Sequence, residues 1–354
     1  MVKKQVYRNS GLKSIGKSRA PGKEKIMPSI IAEHAVVKQV DETAEGQRID
    51  NFLAKLLKDI PKRHIYQLLR SGQVRVNSKR INASYRLLLH DKVRIPPVFK
   101  FMKPVPRQVP YRAEQFDVLY QDDYLLVINK PAGTAVHGGS GVSYGVIEQL
   151  RKQHPDWKFL ELVHRLDRET SGVLLLARKR QSLLELHRQI REGAVRKHYL
   201  TLVRGVWKNP VQNVRLPLHK YLTAEGERRV AVVTDQNNYT GTQQAHTLFT
   251  LRKTWKDFSL LGAELKTGRT HQIRVHLAHI GFPIAGDDKY GDFGLNKQLQ
   301  KENERGFALR RMFLHASVFV CSHPVTGDSL CLEAPLPDEL QVFMKNLDLG
   351  DGVV

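Results

Sequence analysis

Cysteine is almost absent from this sequence, and long apolar runs are missing. Cys321 and Cys331 are too few for a disulfide framework and lack the CxxC spacing of a zinc site. They flank SHPVTGDSL, a stretch typical of a hairpin turn, so they could face each other on paired strands; two packed thiols in a reduced, cytoplasmic protein are expected instead. No stretch reaches the roughly 18 apolar residues of a membrane-spanning helix, so no contact with a membrane interior is expected.

Acidic residues are also scarce relative to basic ones. Lys and Arg number 57 against 35 Asp and Glu, which gives a formal net charge of +22. This excess favours a polyanionic partner, although it does not separate RNA from DNA or from an anionic membrane surface. Residues 1–42 are expected to form a basic mobile arm, because the segment up to Lys25 has one acid, Glu24, and little apolar periodicity. We expect an arm that contacts nucleic acid or aids solubility rather than a targeting segment.

Residues 45–98 predict a small unit of helices and strands. RIDNFLAKLL has apolar residues at helical spacing, and HIYQLLR predicts a second helix that starts near Pro61 and stops at Gly72. QVRVN and YRLLLHDKVRIP predict strands on either side of a turn at NSK. Basic residues cluster around the second helix and the turn: Lys62, Arg63, Arg70, Arg75, Lys79 and Arg80. They form either an ordinary charged surface or a phosphate-binding face. Over residues 46–96 the arrangement resembles the S4 RNA-binding domain, which implies RNA contact.

The remainder of the chain predicts a linker, one larger domain and a short tail. Prolines interleaved with basic residues over 99–112 indicate a stiff linker, followed by a domain over 113–347 and a tail over 348–354. YLLVINK, GVLLLAR and HYLTLVRG predict strands, and SLLELHRQIRE predicts a helix that ends at Gly193. Strands do not alternate regularly with helices. The expected fold class is therefore α+β, with a mixed, largely antiparallel sheet and flanking helices rather than a doubly wound parallel sheet.

The stretch HRLDRETSG places one carboxylate, Asp167, between Arg165 and Arg168. If HRLD is extended, Arg165 and Asp167 point to one side, because side chains alternate along a strand. A cation beside a carboxylate favours its ionised form, which suits a nucleophile or a base. The alternative is that Asp167 caps the turn at TSG through the local backbone and that the arginines are solvated.

Two further blocks, KHYLTLVRG and LKTGRTHQIRVHLAHIGFPIAGDDKYG, follow HRLDRETSG in the chain. Together the three blocks resemble the RluA family of pseudouridine synthases, and NKPAGTAVHGGSGVSYGVIEQL is most similar to members that act on large-subunit ribosomal RNA. The resemblance implies an isomerase that breaks the N-glycosidic bond of a uridine, turns the uracil and joins C5 to C1′, with no cofactor. Asp167 matches the catalytic aspartate; whether it attacks the nucleotide or deprotonates the sugar stays open.

The resemblance also implies roles for other residues of these blocks. Tyr199 matches a tyrosine that lies against the target base and is a candidate for removing the C5 proton, although a Tyr in such a strand is often only packed. Arg274 matches the basic residue that pairs with Asp167, and Arg269 is a second candidate for that pairing or for a phosphate contact. Arg165 matches the arginine that fills the space left by a flipped uridine. Leu314 matches an apolar residue that packs on the base, with plain core packing as the alternative.

Several histidines raise the alternative of a metal site: His164, His198, His271, His276, His279 and His315. Their spacing lacks the HExxH pattern of a zinc enzyme, so no metal is expected. The glycine-rich HGGSGVSYG lacks the GKS or GKT of a phosphate loop and predicts a flexible loop over RNA.

Two other function classes compete with the synthase hypothesis. A non-catalytic S4-type ribosome-assembly factor would keep RNA binding but would not need Asp167, Tyr199 and Arg274. A glycoside hydrolase using Asp167 and Glu169 is disfavoured, because two-residue spacing does not establish the required separation of carboxylates and the positive charge suits RNA. The expected partner is large-subunit ribosomal RNA, and a monomer is expected.

Overall fold

The computed structural model describes residues 28–30, 34–57, 60–97, 99–101, 114–138, 144–224, 227–234, 241–301 and 308–350. The chain divides into two compact units at the junction between residues 111 and 112, and each is described by itself. Most of the arm predicted over 1–42, most of the linker predicted over 99–112, and the glycine-rich stretch at 139–143 lie outside the described residues.

The first unit contains the two predicted helices. Its elements are β1 (Pro28–Ile30), β2 (Val36–Gln39), α1 (Ile49–Leu56), α2 (Lys62–Arg70), β3 (Arg75–Val76), β4 (Lys79–Arg80), β5 (Lys92–Ile95) and β6 (Phe99–Phe101). β2, β5, β3 and β4 form a sheet in that order, and β1 pairs with β6. Ile49, Leu53 and Ile65 point inward and are at most 1% exposed, so the helical periodicity of both predicted helices is confirmed.

The strand predicted over YRLLLHDKVRIP is shorter than expected. Only Lys92–Ile95 form a strand, since His90 takes a left-handed backbone with φ of +68°. The Asp91 carboxylate accepts hydrogen bonds from the Leu88 N–H and the Tyr85 hydroxyl, which closes a turn in place of an extended chain. The apolar pattern predicted an extended strand here, but hydrogen bonds that the Asp91 side chain accepts from its local surroundings stabilise a turn instead.

The second unit is built on one large sheet. Its strands are β7 (Asp117–Gln121), β8 (Leu125–Lys130), β9 (Glu161–Leu162), β10 (Ser171–Ala177), β11 (Arg196–Arg204), β12 (Val211–Arg215), β13 (Leu218–Leu222), β14 (Arg228–Val232), β15 (His246–Thr254), β16 (Phe258–Leu265), β17 (Leu314–Ser322) and β18 (Ser329–Glu333). Its helices are α3 (Val146–Gln153), α4 (Arg180–Arg191), α5 (Gln272–His279), α6 (Phe293–Leu299) and α7 (Asp338–Asp348). The main path of the sheet runs β12-β15-β16-β11-β17-β10-β8-β7, with β18 beside β17 and β9 beside β10.

The sheet is mixed and largely antiparallel, as predicted. β10 and β17 run parallel, whereas β10 with β8, β11 with β16 and β11 with β17 are antiparallel. A separate hairpin of β13 and β14 lies outside the sheet path. The α+β fold class is therefore confirmed.

Strand register brings the chemically interesting blocks together. Ser171, at the start of β10, lies opposite His315 of β17, and Tyr199 of β11 lies opposite Ala316 of the same strand. Gly172 has φ of +113°, and a Cβ there would stand 2.1 Å from the carbonyl oxygen of Ala316. This close backbone approach requires glycine, and it sets the end of HRLDRETSG against β17.

Both faces of the sheet are buried. Leu174 and Leu176 of β10 belong to one apolar cluster with Ile273 and Leu277 of α5. Val173, Leu175 and Ala177 belong to another, which includes Leu186 of α4. Burial on both sides explains why GVLLLA is a continuous apolar run.

The two cysteines do not face each other. Cys321 pairs with Leu330 and Cys331 with Val320, so successive side chains place the two thiols on opposite faces. Both thiols are free, but only Cys321 is buried, so the expectation of two packed thiols is wrong for Cys331. No helix in the described ranges is long and apolar enough to cross a membrane.

Candidate active site

A cavity of about 630 Å³ opens beside the HRLDRETSG turn in the second unit. Its lining includes Arg165 and Asp167 from that turn, Tyr199 from β11, Arg269 and Arg274 from around α5, and Leu314 from β17. The six residues singled out in this unit from the sequence therefore border one space.

The turn presents Asp167 rather than using it as a cap. The Thr170 N–H bonds to the backbone carbonyl of Asp167 at 3.1 Å, which leaves the carboxylate available. Within the described residues, the hydrogen bond to that carboxylate comes from Arg274, at 3.3 Å. Arg168 turns to another loop, where its Nε donates to the carbonyl of Gly133 at 2.8 Å.

A buried lysine supports this turn from behind. Lys130, at the end of β8, is fully buried, and its Nζ donates to the carbonyls of Pro131, Thr134 and Arg168 at 2.6, 2.9 and 3.1 Å. Burial lowers its pKa to about 7. The lysine thus ties the loop after β8 to the turn that carries Asp167.

The guanidinium of Arg274 is shared by three carboxylates. Arg274 projects from the first turn of α5 and is only 3% exposed. Its Nε and Nη2 donate to Asp287 at 2.7 and 2.6 Å, Nη2 also reaches Asp288 at 3.1 Å, and Nη1 reaches Asp167 at 3.3 Å. Burial disfavours its charge, but the hydrogen bonds to Asp287 and the negative charges of Asp287, Asp167 and Asp288 together outweigh burial and raise the pKa of Arg274. The contact expected between Asp167 and Arg274 is present.

Tyr199 and Leu314 form an apolar wall of the cavity. They are 7% and 3% exposed and belong to the same core cluster. Burial, followed by the charge of Asp167, raises the pKa of Tyr199, so its phenol stays neutral. Each side chain therefore packs in the core and also lines the cavity. Core packing and contact with a bound base are compatible roles for both residues.

Arg165 and Arg269 lie at the exposed rim. Nε of Arg269 donates to the carbonyl of Gln244 at 3.2 Å, and neither arginine bonds to Asp167 among the described contacts. Of the two pairing candidates, Arg274 alone reaches the carboxylate.

Sequence reasoning missed several residues around Asp167. His271, considered only as a metal ligand, has Nε2 at 3.8 Å from Asp167 Oδ1 and Nδ1 at 2.8 Å from the Tyr290 hydroxyl. Asp287 is fully buried against Arg274, and Lys197 is a half-buried cation whose pKa is lowered by burial. The sequence signal for the cluster of Asp287 and Tyr290 lies in the block IAGDDKYG. Two acids and a tyrosine next to apolar residues indicate a buried polar cluster.

Three of the other histidines make structural contacts. The described residues contain no group of three His, Cys, Asp or Glu side chains suited to a metal ion. Nε2 of His164 accepts the Leu175 N–H, His276 bonds to Thr247 and Leu216, and His315 bonds to Ser171 and Ala334.

The basic residues of the first unit are solvent-accessible. Six cations were predicted as a phosphate-binding face, and all six are exposed in the structure: Lys62, Arg63, Arg70, Arg75, Lys79 and Arg80. Three of them, Arg70, Lys79 and Arg80, line a cavity of about 810 Å³. Arg75 and Arg80 also donate to the backbone carbonyls of Gly72 and Ser71, so part of their role is local structure.

Comparison with known proteins matches both units. Residues 124–279 match the family described as RNA pseudouridylate synthase, and residues 47–93 match the S4 domain. Ribosomal large subunit pseudouridine synthase C of Escherichia coli O157:H7 is 48% identical over 319 residues, covering 88% of this chain and 97% of the relative. The protein of the same name from Pasteurella multocida (strain Pm70) is 45% identical over 322 residues, covering 90% and 95%.

A solved structure is also similar. Human RNA Pseudouridylate Synthase Domain Containing 4 matches with a TM-score of 0.51 and 25% identity, covering 66% of this chain and 93% of that one. With near-full-length relatives well above 30% identity, an S4 match and a synthase match, the chain belongs to the RluA family of RNA pseudouridine synthases.

Proposed function

We propose that this enzyme converts uridine to pseudouridine in large-subunit ribosomal RNA and that Asp167 is its catalytic carboxylate. One observation carries the proposal: Asp167 faces a cavity of about 630 Å³ while buried Arg274 contacts its Oδ2 at 3.3 Å. The names of the relatives point to the large ribosomal subunit. The reaction is an isomerisation: the N1–C1′ bond breaks, a C5–C1′ bond forms, C5 loses its proton and N1 gains one. Its atoms balance without an oxidant or reductant.

The cavity wall suits a flipped base. A uridine must leave its stack before its C1′ can be reached, and pocket stacking offsets part of that cost. Tyr199 and Leu314 supply the apolar surfaces against which the uracil would pack. The raised pKa of Tyr199 favours a packing and hydrogen-bonding role over that of a free phenolate, so removal of the C5 proton by Tyr199 requires its own proton to move away.

The remaining cations are assigned to RNA contacts. Arg165, exposed at the rim beside Asp167, would occupy the stack that the uridine leaves, and Arg269 would contact a phosphate. The exposed cations of the S4 domain would hold the flanking RNA by phosphate contacts. We also propose that the enzyme is a monomer; a stable dimer in sedimentation would contradict this. We propose a cytoplasmic enzyme, because ribosomal RNA is its substrate.

Asp167→Asn tests the assignment. Because Asp287 still holds Arg274 at 2.6 Å, the variant is expected to fold, with a thermal midpoint close to that of the parent. Pseudouridine formation should fall on the order of 1,000-fold or more, as for other residues that touch the reacting atoms. The measurement is pseudouridine mapping in ribosomal RNA from a strain that lacks its own copy of the gene and expresses either form.

Asp156→Asn, at an exposed aspartate of the same unit, is the matched control and should leave modification unchanged. Full modification by the Asp167 variant would contradict the catalytic assignment. If the parent chain restored no pseudouridine yet still bound ribosomal RNA, the non-catalytic assembly-factor alternative would replace the proposed function.

A further inference from the structure

His271 adopts a backbone conformation that histidine rarely takes. It immediately precedes α5 and has φ of +54°, in the left-handed region. That region is unfavourable for an L residue, and such residues persist where the surroundings fix them. The left-handed backbone turns the imidazole back toward the cavity, where its side chain is 15% exposed and borders Asp167.

The imidazole is fixed from behind by Tyr290. Nδ1 of His271 lies 2.8 Å from the Tyr290 hydroxyl, and the two rings meet edge to face with centroids 5.5 Å apart. Tyr290 is itself anchored: its hydroxyl accepts the N–H of Val230 in β14 at 3.0 Å, and its own N–H donates to Asp287 at 3.0 Å. The ring orientation of His271 is therefore set by two other segments, the loop that contains Asp287 and Tyr290 and strand β14.

These contacts determine which ring nitrogen carries the proton. The Tyr290 hydroxyl uses one lone pair to accept from Val230, so its single proton is free to be donated to Nδ1 of His271. Burial raises the pKa of Tyr290 to about 12, and burial lowers the pKa of His271, so a neutral phenol faces a neutral imidazole. Nδ1 then accepts, and the imidazole proton sits on Nε2, which faces Oδ1 of Asp167 at 3.8 Å.

Arg274 alone does not fix the Asp167 carboxylate. Its Nε and Nη2 are engaged by Asp287, and a single Nη1 contact at 3.3 Å leaves the carboxylate free to rotate about its Cβ–Cγ bond. A second donor on the other oxygen removes that freedom. The 3.8 Å separation is longer than a hydrogen bond, but such contacts often tighten when substrate binds.

We infer that His271 is a positioning residue whose Nε2–H orients Oδ1 of Asp167 while Arg274 holds Oδ2. The inference rests on the proposed role of Asp167. Loss of the His271 imidazole leaves the catalytic carboxylate present but free to rotate. Such a loss should slow the chemical step and leave RNA affinity unchanged. A misplaced reacting group typically costs up to about 100-fold in rate.

His271→Gly is the main test, because glycine adopts the left-handed backbone without strain. With enzyme in excess over unmodified large-subunit ribosomal RNA tritiated at uridine C5, the single-turnover rate of tritium release should fall roughly 10- to 100-fold. The Kd for the same RNA should not change, and the variant should stay folded at the assay temperature, because relief of the left-handed strain offsets part of the lost Tyr290 hydrogen bond. A residue with a purely structural role would lose rate only in proportion to the unfolded fraction, which circular dichroism at the assay temperature measures.

Two variants complete the design. His271→Asn introduces a residue that tolerates the left-handed region and can bond to Tyr290, but its amide is too short to replace Nε2. The single-turnover rate of this variant should therefore fall by the same factor as that of His271→Gly. His90→Gly repeats the substitution at a left-handed histidine of the first unit, with φ of +68°, and should leave the rate unchanged.

The outcomes separate this inference from the proposed function. If the wild-type chain releases no tritium, the proposed function fails. If the wild type is active and both His271 variants match it, or if they weaken RNA binding without slowing the saturated rate, the positioning role of His271 is wrong. Should His271→Gly not fold, His271→Asn decides in the same assay.

Discussion

At the scale of single residues, the partner that holds Arg274 is Asp287 rather than Asp167. Asp287 is fully buried and receives two donors of the guanidinium, along with the backbone N–H groups of Lys289 and Tyr290. Burial alone would raise the pKa of Asp287, but the hydrogen bonds and charge of Arg274 outweigh it and the pKa is lowered. Asp287 therefore positions the Arg274 guanidinium that contacts Asp167.

Asp287→Asn should therefore damage both stability and activity. The variant removes the only fully buried carboxylate among the three that contact Arg274 in the described residues, and breaking a buried ion pair typically costs about 3–5 kcal/mol of the free energy of unfolding. The neighbouring Asp288→Asn is the matched control: its side chain is 64% exposed, and a pair of that kind contributes about 0–1 kcal/mol. Urea unfolding of both variants measures the difference, and equal losses would contradict the role given to Asp287.

The pH dependence of stability provides a second measurement on the same pair of variants. Because the folded pKa of Asp287 is lowered, its stabilising contribution is complete above the ordinary pKa of aspartate and is lost as the pH falls through the lowered value. The parent should consequently lose stability in that acidic window. Asp287→Asn should show a flatter profile there, whereas Asp288→Asn should follow the parent.

At the scale of helices and strands, local periodicity was sufficient for some elements and not for others. The repeats in RIDNFLAKLL and HIYQLLR predicted α1 and α2, because each buries one face. In α5, by contrast, six successive residues, from Gln272 to Leu277, are buried. A helix enclosed on all sides carries no amphipathic pattern, so the burial of Arg274 could not be predicted from spacing.

The residues of the candidate site also fall into two groups: those that the sequence identified and those whose position depends on long-range folding. Nine consecutive residues singled out Asp167 as a carboxylate between two arginines, whereas its likeness to a catalytic aspartate and its pairing with Arg274 came from the resemblance of three blocks to the family. His271, Asp287 and Tyr290 depend on how α5 and the following loop fold back onto β14. Long-range pairing of this kind leaves no periodic trace in the sequence.

Gly172→Ala tests the parallel pairing of β10 and β17, the contact that places the Asp167 turn. The added Cβ would lie 2.1 Å from the Ala316 carbonyl oxygen at a φ of +113°, so backbone must shift. We expect a loss of at least about 3 kcal/mol in the free energy of unfolding, measured by urea denaturation.

Gly281→Ala is the control that separates two costs of Gly172→Ala, the steric clash with Ala316 and the unfavourable left-handed backbone. Gly281 has φ of +85°, and among the described residues no atom beyond its chain neighbours would lie within 4 Å of the added Cβ. Alanine there should therefore cost only about 1 kcal/mol. Equal losses at the two glycines would show that conformational preference alone accounts for Gly172 and that the close approach to β17 is unimportant.

At the scale of the whole molecule, charge and chemistry are divided between two units. The net charge of +22 favours RNA through phosphate contacts, which depend on salt and carry no sequence information. The carboxylate, the buried arginine and the apolar wall all lie in the second unit, and the S4 cations lie in the first. Substitutions in the S4 domain should accordingly change how tightly RNA binds without changing the rate once RNA is bound.

Lys79→Ala tests this division of roles. Lys79 is exposed on β4, at one edge of the S4 sheet, so its loss should weaken RNA binding and reduce the slope of log K against log salt concentration by about 1. The single-turnover rate with enzyme in saturating excess should stay at the parental value. Lys345→Ala, at an exposed lysine on α7 of the second unit, is the control and should leave the slope unchanged. A slower saturated rate with an unaltered salt slope in Lys79→Ala would place this lysine in the chemistry instead.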